Sequence, residues 1–149
     1  MKIAVGCDHG GINLKPFVEK VLKDRGIEMI DMGCFDTDSV DYPDYALKVA
    51  EAVSQRQVDK GVILCGTGIG ISIAANKVKG IRAAVCHDTF TAQMCAQHNN
   101  ANILAMGGRI IDGEKAAEMV KIWLDTPFEG GRHTGRVAKI SEIENKYFK

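Results

Sequence analysis

The chain has 149 residues, with 19 Lys plus Arg balanced by 19 Asp plus Glu. That length suits one domain and buries about two-thirds of the unfolded surface without staples. Zero net charge gives no electrostatic footprint for nucleic acid or an anionic membrane, and favours self-association. Five scattered cysteines do not read as a disulfide framework. No run approaches the roughly 20 apolar residues of a membrane span, and no leader-like segment precedes the first strand pattern. The expectation is a single domain over 1–149 in a reducing, cytoplasmic compartment.

Ile3 to Gly6 is a short apolar run that predicts the first strand, and Cys7-Asp8-His9-Gly10-Gly11 a polar turn after it. Leu14, Phe17, Val18, Val21 and Leu22 then recur at helical spacing and predict one buried face. Pro16 fits near the start of that helix and Gly26 just past its end. Glu28 to Met32 is a weaker strand, followed by a loop from Gly33 to Asp41. Pro43 suits the start of a helix whose inner face is Ala46, Val49, Ala50 and Val53.

Val62 to Leu64 predicts a third strand, buried on both faces, that ends in Cys65-Gly66-Thr67-Gly68-Ile69-Gly70. A helix from Ile71 to Lys77 follows. Arg82 to Cys86 predicts the fourth strand. Thr89 to His98 predicts a helix with Phe90, Met94 and Cys95 as its core stripe, broken by Asn99-Asn100. Ile103 to Met106 is the fifth strand, ending in Gly107-Gly108. Asp112 is an N-cap for a helix that buries Ala116, Met119, Val120 and Trp123. Thr126 to Gly131 connects to a last amphipathic helix with Val137, Ile140, Ile143 and Tyr147. Alternating strands and helices predict an α/β fold, a parallel sheet covered on both faces. Ligands in such sheets bind where the strands end. That rule gathers Asp8, His9, Cys65 to Gly70, His87 and Gly107 to Arg109 at one edge.

The glycine turn lacks the spacing of a dinucleotide fingerprint, because Ile71 stands where a third glycine belongs, and it lacks the Walker Gly-Lys-Ser/Thr. Three glycines after a strand still form a concave nest of amides suited to an anion, unless the turn is merely structural. Cys65 sits at the rim of that nest, beside amides that favour a thiolate, and is a candidate base or nucleophile. Cys7 occupies a matching place on the first strand, so position alone does not choose between them. Cys34, Cys86 and Cys95 read as core. Asp8-His9 can pair an imidazole with an anion or sugar hydroxyl. His98 reads as a proton donor or as a plain C-terminal cation. Cys95 and His98 have half the spacing of a metal site with no second pair to complete it, so no metal is expected. Arg132 and Arg136, at i and i+4, share a helix face, as a phosphate fork or as a solvated face beside Glu142 and Glu144. Arg109 is a third phosphate ligand candidate.

These segments, together with Val40-Asp41-Tyr42-Pro43-Asp44-Tyr45-Ala46, Ile73-Ala74-Ala75-Asn76-Lys77, His98-Asn99 and Gly107-Gly108-Arg109, resemble the ribose-5-phosphate isomerase B family over essentially the whole chain. The resemblance implies a Rossmann-like three-layer α/β/α sandwich with five parallel strands, and a C-terminal helix extending to a partner subunit. It implies reversible conversion of ribose 5-phosphate to ribulose 5-phosphate, a step of the pentose phosphate pathway, with no cofactor. It implies a homodimer with active sites between subunits; a tetramer stays open. Members divide between a glutamate just after the glycine turn and a cysteine just before it; Ile71 and Cys65 place this chain with the second. On matching positions Cys65 is the base at C2, Thr67 assists, His98 opens the furanose ring, and Asp8 lies close to the sugar. His9, Arg132 and Arg136 face the phosphate, and Tyr42, Asn99 and Arg109 line the pocket. Gly66, Gly68 and Gly70 belong to the anion hole. A 6-phosphate isomerase of allose or galactose, a non-catalytic phosphosugar-binding module and a thiol hydrolase are the alternatives.

Overall fold

The computed structural model describes residues 1–148. Five strands, β1 (Lys2–Cys7), β2 (Glu28–Gly33), β3 (Lys60–Cys65), β4 (Ala83–Val85) and β5 (Ile103–Gly107), form one sheet in the order β2-β1-β3-β5-β4. Every pairing is parallel. Six helices connect or follow them: α1 (Lys15–Asp24), α2 (Tyr42–Ser54), α3 (Ile69–Ala75), α4 (Thr89–Gln97), α5 (Gly113–Asp125) and α6 (Arg132–Tyr147).

The inner strands β1, β3 and β5 are apolar beyond their first residues because both faces are covered, with side chains alternating between them, whereas the edge strand β2 carries Glu28 and Asp31 and is mostly only part-buried. Ile3, Val5, Cys7, Val62, Leu64, Leu104 and Met106 pack with residues of α1, α4 and α5, the fully buried Trp123 of α5 among them. Ala4, Ile63, Cys65, Ile103 and Ala105 pack with residues of α2 and α3. The chain leaves β1 toward β2 on one side and returns to β3 on the other. β1 and β3 therefore flank the point where strand order reverses, and the turns that follow them face each other across it.

Most boundaries match the sequence reading within two residues, and the departures have physical reasons. Leu14 is buried but ends a short 3₁₀ turn, Ile12–Leu14, and α1 starts at Lys15. Phe17 is 42% exposed rather than inside. Its ring lies over the start of α5, so close that a Cβ on Gly113 would come within 2.3 Å of it. Phe90 is 66% exposed and Met94 only partly buried, while Cys95 is inside as expected together with Ala92 and Ala96, on a helix that packs chiefly against α5. α3 starts at Ile69 directly after Gly68, which takes φ +79 and turns the chain out of β3. α6 departs most: of its 16 residues only His133 is buried, and Ile140, Ile143 and Tyr147 are exposed.

Candidate active site

The turns after β1, β3 and β5 converge at the edge where the strands end. Gly108 N donates to Cys65 O at 2.8 Å and Arg109 N to Gly66 O at 2.9 Å. Gly107 packs so tightly that a Cβ there would lie 2.5 Å from the Thr67 carbonyl carbon. Gly10 approaches the Gly66 amide, with a Cβ position 3.0 Å from its nitrogen. Glycine at these crossings lets three backbones meet.

Cys65 is 5% exposed, so it forms the floor of this edge rather than the rim expected from sequence. Its sulfur accepts the Gly68 N–H at 3.1 Å. That backbone donor fixes the position of the sulfur against the glycine turn. The Ile69 N–H goes to Thr67 Oγ1 at 3.2 Å, which leaves the exposed Thr67 hydroxyl its own proton to donate. Two amides of the glycine turn, those of Gly68 and Ile69, are thus taken by side chains of the turn itself, and are not free for an anion as the sequence reading had supposed.

Register separates the two cysteines. Cys7 pairs with Leu64, not with Cys65, and sits on the opposite face of the sheet. Its sulfur lies 4.0 Å from Cys34 Sγ and 3.7 Å from Cys34 O, fully buried. Burial first, and Cys34 second, push the Cys7 thiol up to about 12. Cys7 is a core residue. Cys95 is likewise pushed up, by its contact with Cys86 and then by burial.

Asp8 is buried, and its Oδ1 accepts the amides of Gly10 at 2.8 Å and Gly11 at 3.1 Å. His9 Nδ1 accepts the Val40 amide at 3.2 Å. The neutral ring then carries its proton on Nε2, the nitrogen left for a ligand oxygen. Tyr42, first residue of α2, lies against Gly70, with its hydroxyl 3.0 Å from where a Cβ would stand. The Arg109 guanidinium lies over Gly66. Asp8, His9, Tyr42, Cys65, Gly66, Thr67, Gly68, Gly70 and Arg109 therefore share one edge. His87, gathered there by the strand-end rule, is exposed at the start of α4.

His98, Asn99, Arg132 and Arg136 do not join them. α4 starts near the strand ends and runs back along the sheet, so its last turn reaches the other edge. Beyond it Asn102 O accepts Gly61 N, and Asn102 N donates to Arg82 O, at the first residues of β3 and ahead of β4. From Gly61 to Cys65 the strand alone advances about 13 Å. His98 stacks on His133, with ring centroids 4.2 Å apart and planes 13° from parallel. Glu129 N donates to Gln97 O at 3.0 Å and Gln97 Nε2 to the Glu129 carboxylate at 2.7 Å, which ties the chain before α6 to the end of α4. Arg132 and Arg136 are exposed beside this pair. A groove of about 390 Å³ runs alongside, lined by Ile81, Arg82, Asn99, Ile140 and Phe148 among others.

His133 and Glu129 escaped the sequence reading. Their one signal is a histidine set between Arg132 and Arg136 in a helix otherwise polar at that end. His98, Glu129 and His133 bring ligand atoms within 4.8 Å of one another. With the two ring planes nearly parallel, their nitrogen lone pairs do not converge on one point, which makes the group a stack rather than a coordination sphere.

Known proteins resemble the chain over its full length. A family model described as Ribose/Galactose Isomerase matches residues 3–140. Ribose-5-phosphate isomerase B of Escherichia coli (strain K12) is 50% identical over 97% of both chains. The structure of Clostridium thermocellum ribose-5-phosphate isomerase B superposes with a TM-score of 0.96, at 56% identity and 99% coverage of both chains. That of the Mycoplasma genitalium enzyme with bound ribulose-5-phosphate superposes at 0.93, with 37% identity and 97% coverage of both. On this ground, and on the strand-end site just described, the chain belongs to the ribose/galactose isomerase family.

Proposed function

We propose that the protein interconverts ribose 5-phosphate and ribulose 5-phosphate, a step of pentose phosphate metabolism, with Cys65 as the base. Aldose–ketose isomerisation moves one proton between neighbouring carbons. The Cys65 thiolate takes the proton from C2, the electrons pass to the carbonyl, and an enediolate forms. The thiol returns its proton to C1 while the C2 hydroxyl proton passes to O1, which leaves the ketose. The observation that carries this reading is the Cys65 sulfur receiving the Gly68 amide beneath the exposed Thr67 hydroxyl. In this reading the amide holds the base in place, and the Thr67 hydroxyl donates to the oxygen on which charge develops. A furanose lacks a free carbonyl. His98 is assigned to ring opening, moving a proton from the anomeric hydroxyl to the ring oxygen, with Asp8 close to the sugar. His9, Arg132 and Arg136 hold the phosphate, and Tyr42, Asn99 and Arg109 shape the pocket.

Base and ring opener belong to opposite edges of one sheet, so a working site is completed by a second copy: the Cys65 edge of one protomer receives the His98 edge of another. The uncovered apolar side of α6, Ile140, Ile143 and Tyr147, is the surface such a homodimer would bury. Two experiments test the reading. The purified chain should isomerise ribose 5-phosphate, while galactose and allose 6-phosphates, assayed alongside, test the six-carbon preference that the family description also admits. No exchange of the C2 proton with any aldose phosphate would reduce it to a binding module. Cys65→Ala and His98→Ala chains, each inactive alone, should regain about a quarter of wild-type activity when mixed at equal amounts and allowed to exchange, since half the dimers would then hold one intact site of two. No recovery would place both groups in one protomer's site.

A further inference from the structure

We infer that His133 is a positioning residue for ring opening: stacked flat on His98, it holds that imidazole in one plane. The inference rests on the ring-opening role proposed for His98. α6 is otherwise exposed, yet His133 is only 5% exposed, so its seat is not a by-product of general helix packing. The seat is braced from both elements that meet there. On the α6 side, Gly130 and Gly131 take φ +70 and +55 and turn the chain into the helix, and His133 N donates to Gly130 O at 3.0 Å. On the α4 side, the paired bonds between Gln97 and Glu129 fix the backbone one residue before His98. Arg132 Nε points at His133 Nε2 at 3.4 Å, which makes that nitrogen an acceptor and leaves the neutral ring its proton on Nδ1.

The charged groups around the ring act in the same direction. Burial pushes His133 below the ordinary histidine range, and His98, Arg132 and Arg136 add to the shift, with Glu129 alone opposing it. His98 therefore meets a flat, uncharged partner. A half-exposed imidazole without that partner rotates about two side-chain bonds, and a proton donor that misses its oxygen by about 1 Å can lose about 10²-fold in rate.

The test compares two sugars. Ribose 5-phosphate spends most of its time as a furanose and needs opening. A four-carbon aldose 4-phosphate has its O4 esterified, cannot close a furanose, and needs none. His133→Ala should lower kcat on ribose 5-phosphate on the order of 10- to 100-fold with KM little changed, and leave the four-carbon sugar within about threefold. His133→Phe restores a flat neutral ring and should recover most of the loss. Should the alanine chain not fold, His133→Gln, polar but without a ring, gives the same readout. Equal losses on both sugars, or a Phe variant as slow as the Ala variant, would overturn the inference. His98→Ala is the control: if it too slows both sugars alike, the ring-opening reading of His98 fails, and if it alone is selective, only the role of His133 fails.

Discussion

Where the strands end, Asp8, Cys65 and the glycine turn are held by backbone amides, and the backbones of three loops interlock around them. At the opposite edge, Asn99 just past α4 and Arg132 and Arg136 near the start of α6 stand exposed around the braced His98–His133 stack. The first edge is ordered within one chain, whereas the second presents charge and apolar surface outward. Under the proposed mechanism, a base needs a fixed position relative to its own oxyanion donors, so one chain would supply both, while a phosphate grip and a ring opener would act on the far side of the sugar, within reach of a second chain.

Five changes would break or sharpen that contrast. The largest effect is expected at the first edge: Cys65→Ala should lower turnover by about 10²–10⁴-fold on cyclic and open sugars alike, with the fold kept. Cys7→Ala, one register step away, should leave turnover within about twofold and cost stability on the order of 1 kcal/mol, read from urea midpoints. Comparable losses of activity in both would remove the distinction between the two cysteines.

At the second edge, Arg136→Ala should reduce kcat/KM on phosphorylated sugars by about 10- to 100-fold, the equivalent of one charged hydrogen bond, with little change in stability because the side chain is exposed. An unchanged kcat/KM would take Arg136 out of the phosphate site. Gly107→Ala should destabilise by about 1–3 kcal/mol and lower turnover together, since the new methyl meets Thr67 backbone that cannot move without carrying the glycine turn with it. Lost stability with full turnover would show that the interlocked turns are not needed for chemistry.

The smallest effect concerns pH. His133 in the folded chain lies below its unfolded value of about 6.5. In that window the unfolded chain binds a proton that the folded chain refuses, so stability rises with pH toward about 6.5 and is level above it. Urea midpoints measured between pH 5 and 7.5 should therefore fall on the acid side, and His133→Phe should flatten the slope. An unaltered slope would assign the acid sensitivity to other groups.

Much of this was readable without coordinates. Apolar runs punctuated by glycine turns and amphipathic stretches mark every strand and helix. Three of the candidate groups, Asp8, Cys65 and Arg109, stand at or just past the ends of strands, where parallel sheets place their ligands. The ordered motifs pointed to one family. Phe17 and Phe90 were misjudged because periodicity states which face a residue shares, not whether a neighbouring element covers it. Pairing register distinguished Cys7 from Cys65: two cysteines at strand ends look alike in sequence until the ladder puts Leu64, not Cys65, beside Cys7 and turns the sulfurs to opposite layers. His133 became visible only when α6 came back across the end of α4. The local pattern decided the elements, because hydrophobic spacing and turn chemistry act over a few residues. The tertiary structure decided which sulfur meets an amide and which histidine meets another, because those encounters depend on how residues far apart in the chain are brought together by strand register and helix direction.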